Sequence, residues 1–169
     1  MTNPPFSRRL FLFSAATAAL VACSGGAPKA AAAGPSQYTD DDWRKLTEEE
    51  WRTRLSPAAF AVLRKADTER AFTSPLNDEK RPGTFHCAGC DLPLFSSDAK
   101  FNSGTGWPSF ADTLPGAVGT SIDKKLFYAR TEYHCARCLG HQGHVFEDGP
   151  APTGLRYCNN GVALTFKAA

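Results

Sequence analysis

Apolar and polar positions divide the chain into three regimes. From Leu10 to Ala22 runs an almost unbroken stretch of apolar and small residues, preceded by Arg8-Arg9 and ended by a polar shift at Ser24. Between about 43 and 66, apolar residues recur at helical spacing: Trp43, Leu46, Trp51 and Leu55, then Phe60, Val62 and Leu63. Thr47-Glu48-Glu49-Glu50 is a capping-box pattern, and Ser56-Pro57 reads as an N-cap followed by Pro at the first helical position. The pattern therefore predicts two short helices with Phe60, Val62 and Leu63 on a buried stripe. From about Phe72 the runs shorten and are punctuated by Gly, Pro, Asn and Asp. Leu126–His134 and Val162–Phe166 alternate as strands do, and His144–Glu147 is a short third candidate. Helices followed by strands predict an α+β domain, mainly β, whose functional half is antiparallel.

The first regime is a targeting pattern. Thirteen apolar or small residues are too few to span a bilayer, which takes ~20. A basic start, a short apolar stretch and a small-residue exit match an export signal. Ser7-Arg8-Arg9-Leu10-Phe11-Leu12 resembles a twin-arginine signal, and Leu20-Val21-Ala22-Cys23 resembles a lipobox that would leave Cys23 lipidated. The competing reading, a buried N-terminal helix, is opposed by Pro4, Pro5 and the shift at Ser24. The expected organisation is a signal over 1–22, a lipidated Cys23 with a flexible Gly/Ala/Pro/Ser tether over 23–38, and one folded domain over 39–169. That places the domain on a membrane, facing the periplasm or the cell exterior.

Composition narrows the partners. With 42% hydrophobic and 21% charged residues in 169, one packed core is feasible and wholesale disorder is excluded. A formal charge of +2 does not point to nucleic acid. Loss of Arg8 and Arg9 with the signal levels the basic and acidic counts, so the anchor is the lipid rather than polybasic attraction. A monomer is expected.

Six cysteines carry the chemistry. Phe85-His86-Cys87-Ala88-Gly89-Cys90 is echoed by Tyr133-His134-Cys135-Ala136-Arg137-Cys138. Two C-x-x-C pairs supply four thiolates, the number that one tetrahedral structural Zn²⁺ requires. The same four would also hold the iron of a rubredoxin-like carrier. Two disulfides, favoured by export, and a redox-active pair are further readings. A thioredoxin-like pair opens a helix, whereas Asp91, Pro93 and Gly140 follow these pairs. Folding before twin-arginine export would let the domain take up metal in a reducing compartment.

With Cys23 and the four pair members assigned, Cys158 is left, in Gly154-Leu155-Arg156-Tyr157-Cys158-Asn159-Asn160-Gly161. Strand alternation would put Arg156, Cys158 and Asn160 on one face, where a guanidinium lowers a thiol's pKa. Equally, Cys158 could be an inert buried thiol and Asn160-Gly161 a hairpin turn. His141 and His144 lie within four positions of each other beside Gly140 and Gly143, which suits acid–base work or metal ligation. Trp107, in Ser103-Gly104-Thr105-Gly106-Trp107-Pro108-Ser109-Phe110, fits a pocket wall or a core plug.

Together the C-x-x-C pairs, SGTGWPSF, HQGHVFEDGP and GLRYCNNG resemble the B-type methionine sulfoxide reductases over about residues 40–167. The resemblance implies two antiparallel sheets with N-terminal helices and a four-cysteine zinc site, and reduction of the R epimer of methionine sulfoxide, free or in oxidised proteins. Cys158 would attack the sulfoxide sulfur and become a sulfenic acid. His144, assisted by His141, would protonate the departing oxygen, while Arg156 and Asn160 tune the thiolate and order water. Trp107 would cradle the methyl group, with Phe146 and Asp148 also at the substrate. The zinc ligands would be Cys87, Cys90, Cys135 and Cys138. An outside thiol, from a thioredoxin-like protein or a small molecule, would restore Cys158. Many members carry a resolving cysteine where this chain has Thr105, so the usual internal disulfide is not expected. The alternative in another class is a lipid-tethered zinc module without catalysis.

Overall fold

The computed structural model describes residues 1, 37–39, 41–125 and 128–169. Of the expected signal over 1–22 only residue 1 is described; residues 2–22, Cys23 and the tether as far as residue 36 lie outside the described residues, as do Leu126 and Phe127 of the expected strand. Residues 37–39 form a turn, and the Arg137 guanidinium stands 5.0 Å from the centroid of the Tyr38 ring. The last residues of the expected tether therefore sit on the domain. Among the described residues no helix is long and apolar enough to cross a membrane.

Both predicted helices are present: α1 at Glu48–Arg54 and α2 at Pro57–Lys65. The Thr47 hydroxyl accepts from the Glu50 N–H while the Glu50 carboxylate accepts from the Thr47 N–H, closing the capping box. Ser56 accepts from the Ala59 N–H, and α2 ends with Ala66 at a left-handed φ of 53°. Trp51, Phe60, Val62 and Leu63 turn inward, as the spacing predicts.

Among the described residues nine strands follow: β1 (Gly83–Cys87), β2 (Pro93–Ser96), β3 (Lys100–Phe101), β4 (Ser109–Phe110), β5 (Val118–Asp123), β6 (Arg130–Cys135), β7 (His141–Phe146), β8 (Arg156–Asn159) and β9 (Leu164–Ala168). They form two antiparallel sheets, one of three strands in the order β2-β1-β9 and one of six in the order β3-β4-β8-β7-β6-β5. The class is α+β, mainly β, with two sheets and N-terminal helices. All three expected strands shift. The one expected over Leu126–His134 is found at Arg130–Cys135, with Tyr128 and Ala129 outside it. The strand expected at Val162–Phe166 begins at Leu164, because Gly161–Ala163 form a 3-10 turn whose Gly161 and Val162 N–H groups donate to the Glu69 carboxylate. The short candidate at His144–Glu147 begins instead at His141, drawn out by pairing with β6.

The core is an aromatic layer between the sheets. Phe95 of β2 stacks on Phe110 of β4 at 4.1 Å, and Phe85 of β1 meets Phe110 edge-on at 4.9 Å. Tyr133 of β6 meets Tyr157 of β8 edge-on at 5.2 Å. Full burial of each such ring contributes about 1.5–3 kcal/mol, so these contacts hold β4, β6 and β8 against the smaller sheet. The side chains on the opposite face of β7 and β8 are thereby aimed at a surface pocket.

Candidate active site and metal centre

β1 and β6 both end in a cysteine and continue into near-identical turns. The Asp91 N–H donates to the Cys87 carbonyl at 2.8 Å, and the Leu139 N–H to the Cys135 carbonyl at 3.0 Å. Asp91 and Leu139 both take left-handed backbone, with φ of 61° and 60°. These knuckles bring Cys87, Cys90, Cys135 and Cys138 into one buried cluster whose sulfurs all lie within 4.8 Å of one another. The closest approaches run between the pairs, Cys87 to Cys138 at 3.6 Å and Cys90 to Cys135 at 3.5 Å. The edge of a tetrahedron with metal–sulfur bonds of about 2.3 Å is ~3.8 Å, so the donor set fits a four-thiolate centre. All five described cysteines are free thiols, which removes the two-disulfide reading. Burial and mutual crowding push Cys87, Cys90 and Cys135 up while Cys138 is pulled down, so four thiolates need a cation among them. Because β1 and β6 belong to different sheets, a metal here pins one sheet to the other. Arg64 of α2 donates to the Cys138 carbonyl, and the Gln142 amide donates to Cys87 Sγ at 3.4 Å.

On the larger sheet, ladder pairing aligns Ser121, Glu132, His144, Cys158 and Ser109 in one row across β5, β6, β7, β8 and β4. Residues directly opposite share a face, so His144 and Cys158 lie side by side. A bulge adds to this. β7 pairs His144 with Glu132 but His141 with His134, leaving one extra residue between. His141 and His144, three apart, therefore share a face that strict alternation would deny them, and their ring centroids are 5.5 Å apart.

Cys158, half-buried, opens into a pocket of about 180 Å³ lined also by Thr68, Trp107, Arg130, His144, Phe146 and Asn160. The Trp107 indole N–H donates to the Glu69 carbonyl at 2.8 Å, which fixes the ring as a wall. His144 Nε2 bonds Asp123 Oδ2 at 2.8 Å, and Arg130 holds the same oxygen at 2.7 Å. The Lys125 backbone N–H, with His144 and Arg130, keeps Asp123 well below the usual carboxylate range. An ionised Asp123 only accepts, so Nε2 carries the proton. Burial lowers the His144 pKa, against the Asp123 bond that raises it.

Five expected site residues differ from the sequence reading. Burial raises the Cys158 pKa above the ordinary thiol value, with Arg156 and the Thr105 hydroxyl offsetting only part of this. Arg156 cannot do more because Nε and Nη2 are engaged by Asp148, at 2.8 and 2.9 Å. Asp148 is accordingly no pocket residue: its side chain is 61% exposed, and it steadies Arg156, whose guanidinium lies 4.4 Å over the Phe146 ring. Asn160 borders the pocket, but β8 ends before it. Its amide donates to the Gln142 carbonyl and accepts from the Glu69 N–H, so it fixes the backbone instead of projecting beside Cys158. His141 lies behind His144, bonded through Nδ1 to Glu132 at 2.7 Å, outside the pocket.

A family model described as the SelR domain matches residues 55–168. The peptide methionine sulfoxide reductase MsrB of Pseudomonas putida (strain W619) is 55% identical over 122 residues, 72% of this chain and 92% of that protein. The MsrB of Bradyrhizobium diazoefficiens is 53% identical over 130 residues, 75% and 91% of the two chains. The chloroplastic peptide methionine sulfoxide reductase B1 of Arabidopsis thaliana is 46% identical over 129 residues, 76% and 64% of the two chains. The chain belongs to the SelR family, the B-type methionine sulfoxide reductases. In this SelR domain, Thr105 lies against Cys158 and is bonded to Ser103 at 2.8 Å. The hydroxyl thus occupies the place that the resemblance assigns to a resolving thiol.

Sequence reading missed Asp123, Arg130 and Glu132. Only the pairing Glu132-x-His134 on an alternating strand hinted at a carboxylate on the histidine face, and no local signal marks Asp123. Their titration makes the SelR domain acid-labile. Glu132 is lowered to about 2, chiefly by His141, and Asp123 is lowered too. Depressed carboxylates stabilise the fold above their unfolded pKa and lose that contribution as pH falls through the folded value. A depressed His144 acts in the same direction, since the unfolded chain takes up its proton first. The urea midpoint should therefore fall from pH 7 to pH 4 and further towards pH 2, and Glu132→Gln should flatten the decline below about pH 4.5. A midpoint indifferent to acid would refute these pairings.

Proposed function

We propose that this chain reduces the R epimer of methionine sulfoxide, in proteins or free, by attack of Cys158 and transfer of the oxygen to it. The observation carrying the proposal is the pairing of Cys158 with His144 across β7 and β8, beneath Trp107, in a chain of this family. With the thiol raised and the imidazole lowered, the resting pair is neutral. His144 accepts the Cys158 proton as sulfur approaches the substrate, and the imidazolium is held by Asp123, whose bond fixes the tautomer. The same proton passes to the sulfoxide oxygen, which leaves poorly until protonated. The substrate S–O bond breaks and a Cys158 S–O bond forms. Methionine leaves and Cys158 becomes a sulfenic acid, two electrons having moved from the thiol to the substrate. Trp107 and Phe146 suit the S-methyl group, since a sulfur–aromatic contact contributes about 0.3–1.5 kcal/mol.

Among the described residues the other four cysteines are all in the metal cluster, so no thiol stands beside the sulfenic acid. An outside thiol then condenses with it, releasing water, and a second thiol frees Cys158 from the mixed disulfide. The cluster suits Zn²⁺ in a structural role, where the ion would neutralise the thiolates and leave no open position. The domain works as a monomer, exported by the twin-arginine pattern and held by lipid on Cys23 outside the cytoplasm.

Turnover of racemic N-acetyl methionine sulfoxide with dithiothreitol tests the reading. One epimer should be consumed and the reaction should stop at about half conversion, as for any epimer-selective site. Consumption of both epimers would refute the R selectivity, and consumption of neither would leave a metal-binding module without catalysis. Expression of the whole chain with Arg8→Lys/Arg9→Lys should retain precursor in the cytoplasm, and Cys23→Ala should abolish lipid labelling. An unlipidated mature wild-type protein would refute the anchor.

A further inference from the structure

Beyond Trp107 lies a second concavity, larger than the sulfoxide pocket, at about 490 Å³. Trp107 borders both, and Gly106 and Phe101 continue the wall of the second. At its edge stands Phe72, with 74% of its surface exposed and its backbone at a left-handed φ of 65°. Both features cost free energy. A bulky side chain crowds its own carbonyl in that region, and an exposed ring gains nothing from burial. The conformation is held by the Phe72 N–H, which donates to the Gly106 carbonyl at 2.7 Å. The ring lies so close over Gly106 that a Cβ there would meet two ring atoms at 2.8 Å.

The charges around this groove cancel: Asp78 and Glu79 face Lys80 and Lys100. Two of the four are also occupied, Glu79 by Arg81 and Lys100 by the Asn77 carbonyl. Nothing there selects a charged ligand, while the exposed Phe72 and the half-buried Phe101 and Trp107 offer apolar surface that meets the sulfoxide site at Trp107. Resting on the reductase reading above, we infer that this groove holds the polypeptide beside the oxidised methionine, and that Phe72 selects an apolar residue next to it. The substrate is then a polypeptide in which an apolar residue stands next to methionine sulfoxide.

The test compares three R-sulfoxide substrates under dithiothreitol: a blocked single residue, and otherwise identical glycine-based peptides flanked by Leu or by Asp. Wild-type protein should show a kcat/KM about tenfold higher for the Leu peptide than for the Asp peptide, carried by KM, as partial burial of one apolar side chain would give. Phe72→Ser should remove that preference and leave the blocked single residue turned over at the wild-type rate. Phe72→Trp should restore it. Equal rates for the two peptides with wild-type protein overturn the inference, whatever the variants do. An equal loss on all three substrates in Phe72→Ser overturns it as well, since the residue would then act through Trp107 or the fold. If wild-type protein reduces none of the three, the reductase reading itself falls, and this inference with it.

Discussion

Cys158→Ser is expected to abolish sulfoxide reduction, with a fall in kcat/KM on the order of 10⁴-fold or more, while leaving the fold in place. Serine matches the cysteine in size, and the site is half-buried at a pocket floor, so stability should change by no more than about 1 kcal/mol. The hydroxyl, however, is far harder to deprotonate than even a raised thiol, and its oxygen cannot take up the substrate oxygen and the two-electron oxidation that turn the Cys158 sulfur into a sulfenic acid. Wild-type protein given one equivalent of sulfoxide should gain a single oxygen at Cys158, trappable by dimedone. Thr105→Cys should convert that product to a disulfide between the two positions, because the Thr105 hydroxyl already lies against the Cys158 sulfur. A wild-type protein that forms a Cys158 disulfide with its metal still bound would refute the one-cysteine scheme, as would residual turnover by Cys158→Ser.

Cys135→Ser, or exhaustive chelation of the wild-type protein, should unfold the domain rather than silence a folded one. Four-thiolate zinc sites contribute ~10–16 kcal/mol in small domains, as much as the whole stability of an ordinary domain. Here the four sulfurs tie the end of β1 in one sheet to the end of β6 in the other, and α2 packs onto the second knuckle through Leu63 and Arg64. Without the ion, several buried thiols crowd one another with no common partner. Thermal melts should shift down by about 15 °C or more, or show no cooperative transition at all. Metal analysis should give one zinc per chain and a colourless protein, since a four-thiolate iron site would be coloured. A Cys135→Ser protein that melts like wild type and loses only activity would make the metal catalytic.

Much of this protein was legible without coordinates. The caps of α1 and α2 are read by side chains three residues away, so Thr47, Glu50 and Ser56 announce them locally. A C-x-x-C knuckle closes through bonds within five residues, which is why both pairs and their four-thiolate geometry follow from spacing. Cys158 stood out by elimination, and the motifs around it carried the family. What spacing could not supply was the partner of each charged group. Alternation placed Asn160 beside Cys158, but the strand ends one residue earlier, and the Gln142 carbonyl and the Glu69 N–H, both distant in sequence, claim its amide. Arg156 read as the thiol's counter-charge, yet Asp148, reached only because the chain folds back, takes most of that charge. Alternation also separates His141 from His144, and only the bulge against β6 returns them to one face. Asp123 had no signal, because its partnership with His144 spans β5, β6 and β7. Local hydrogen bonds and spacings are written within a few residues, so the helices, the paired-cysteine knuckles and Cys158 as the proposed nucleophile are legible along the chain. Cross-strand register is set by ladder pairing between segments far apart in the chain, so the charge around Cys158 arises only once the strands are assembled.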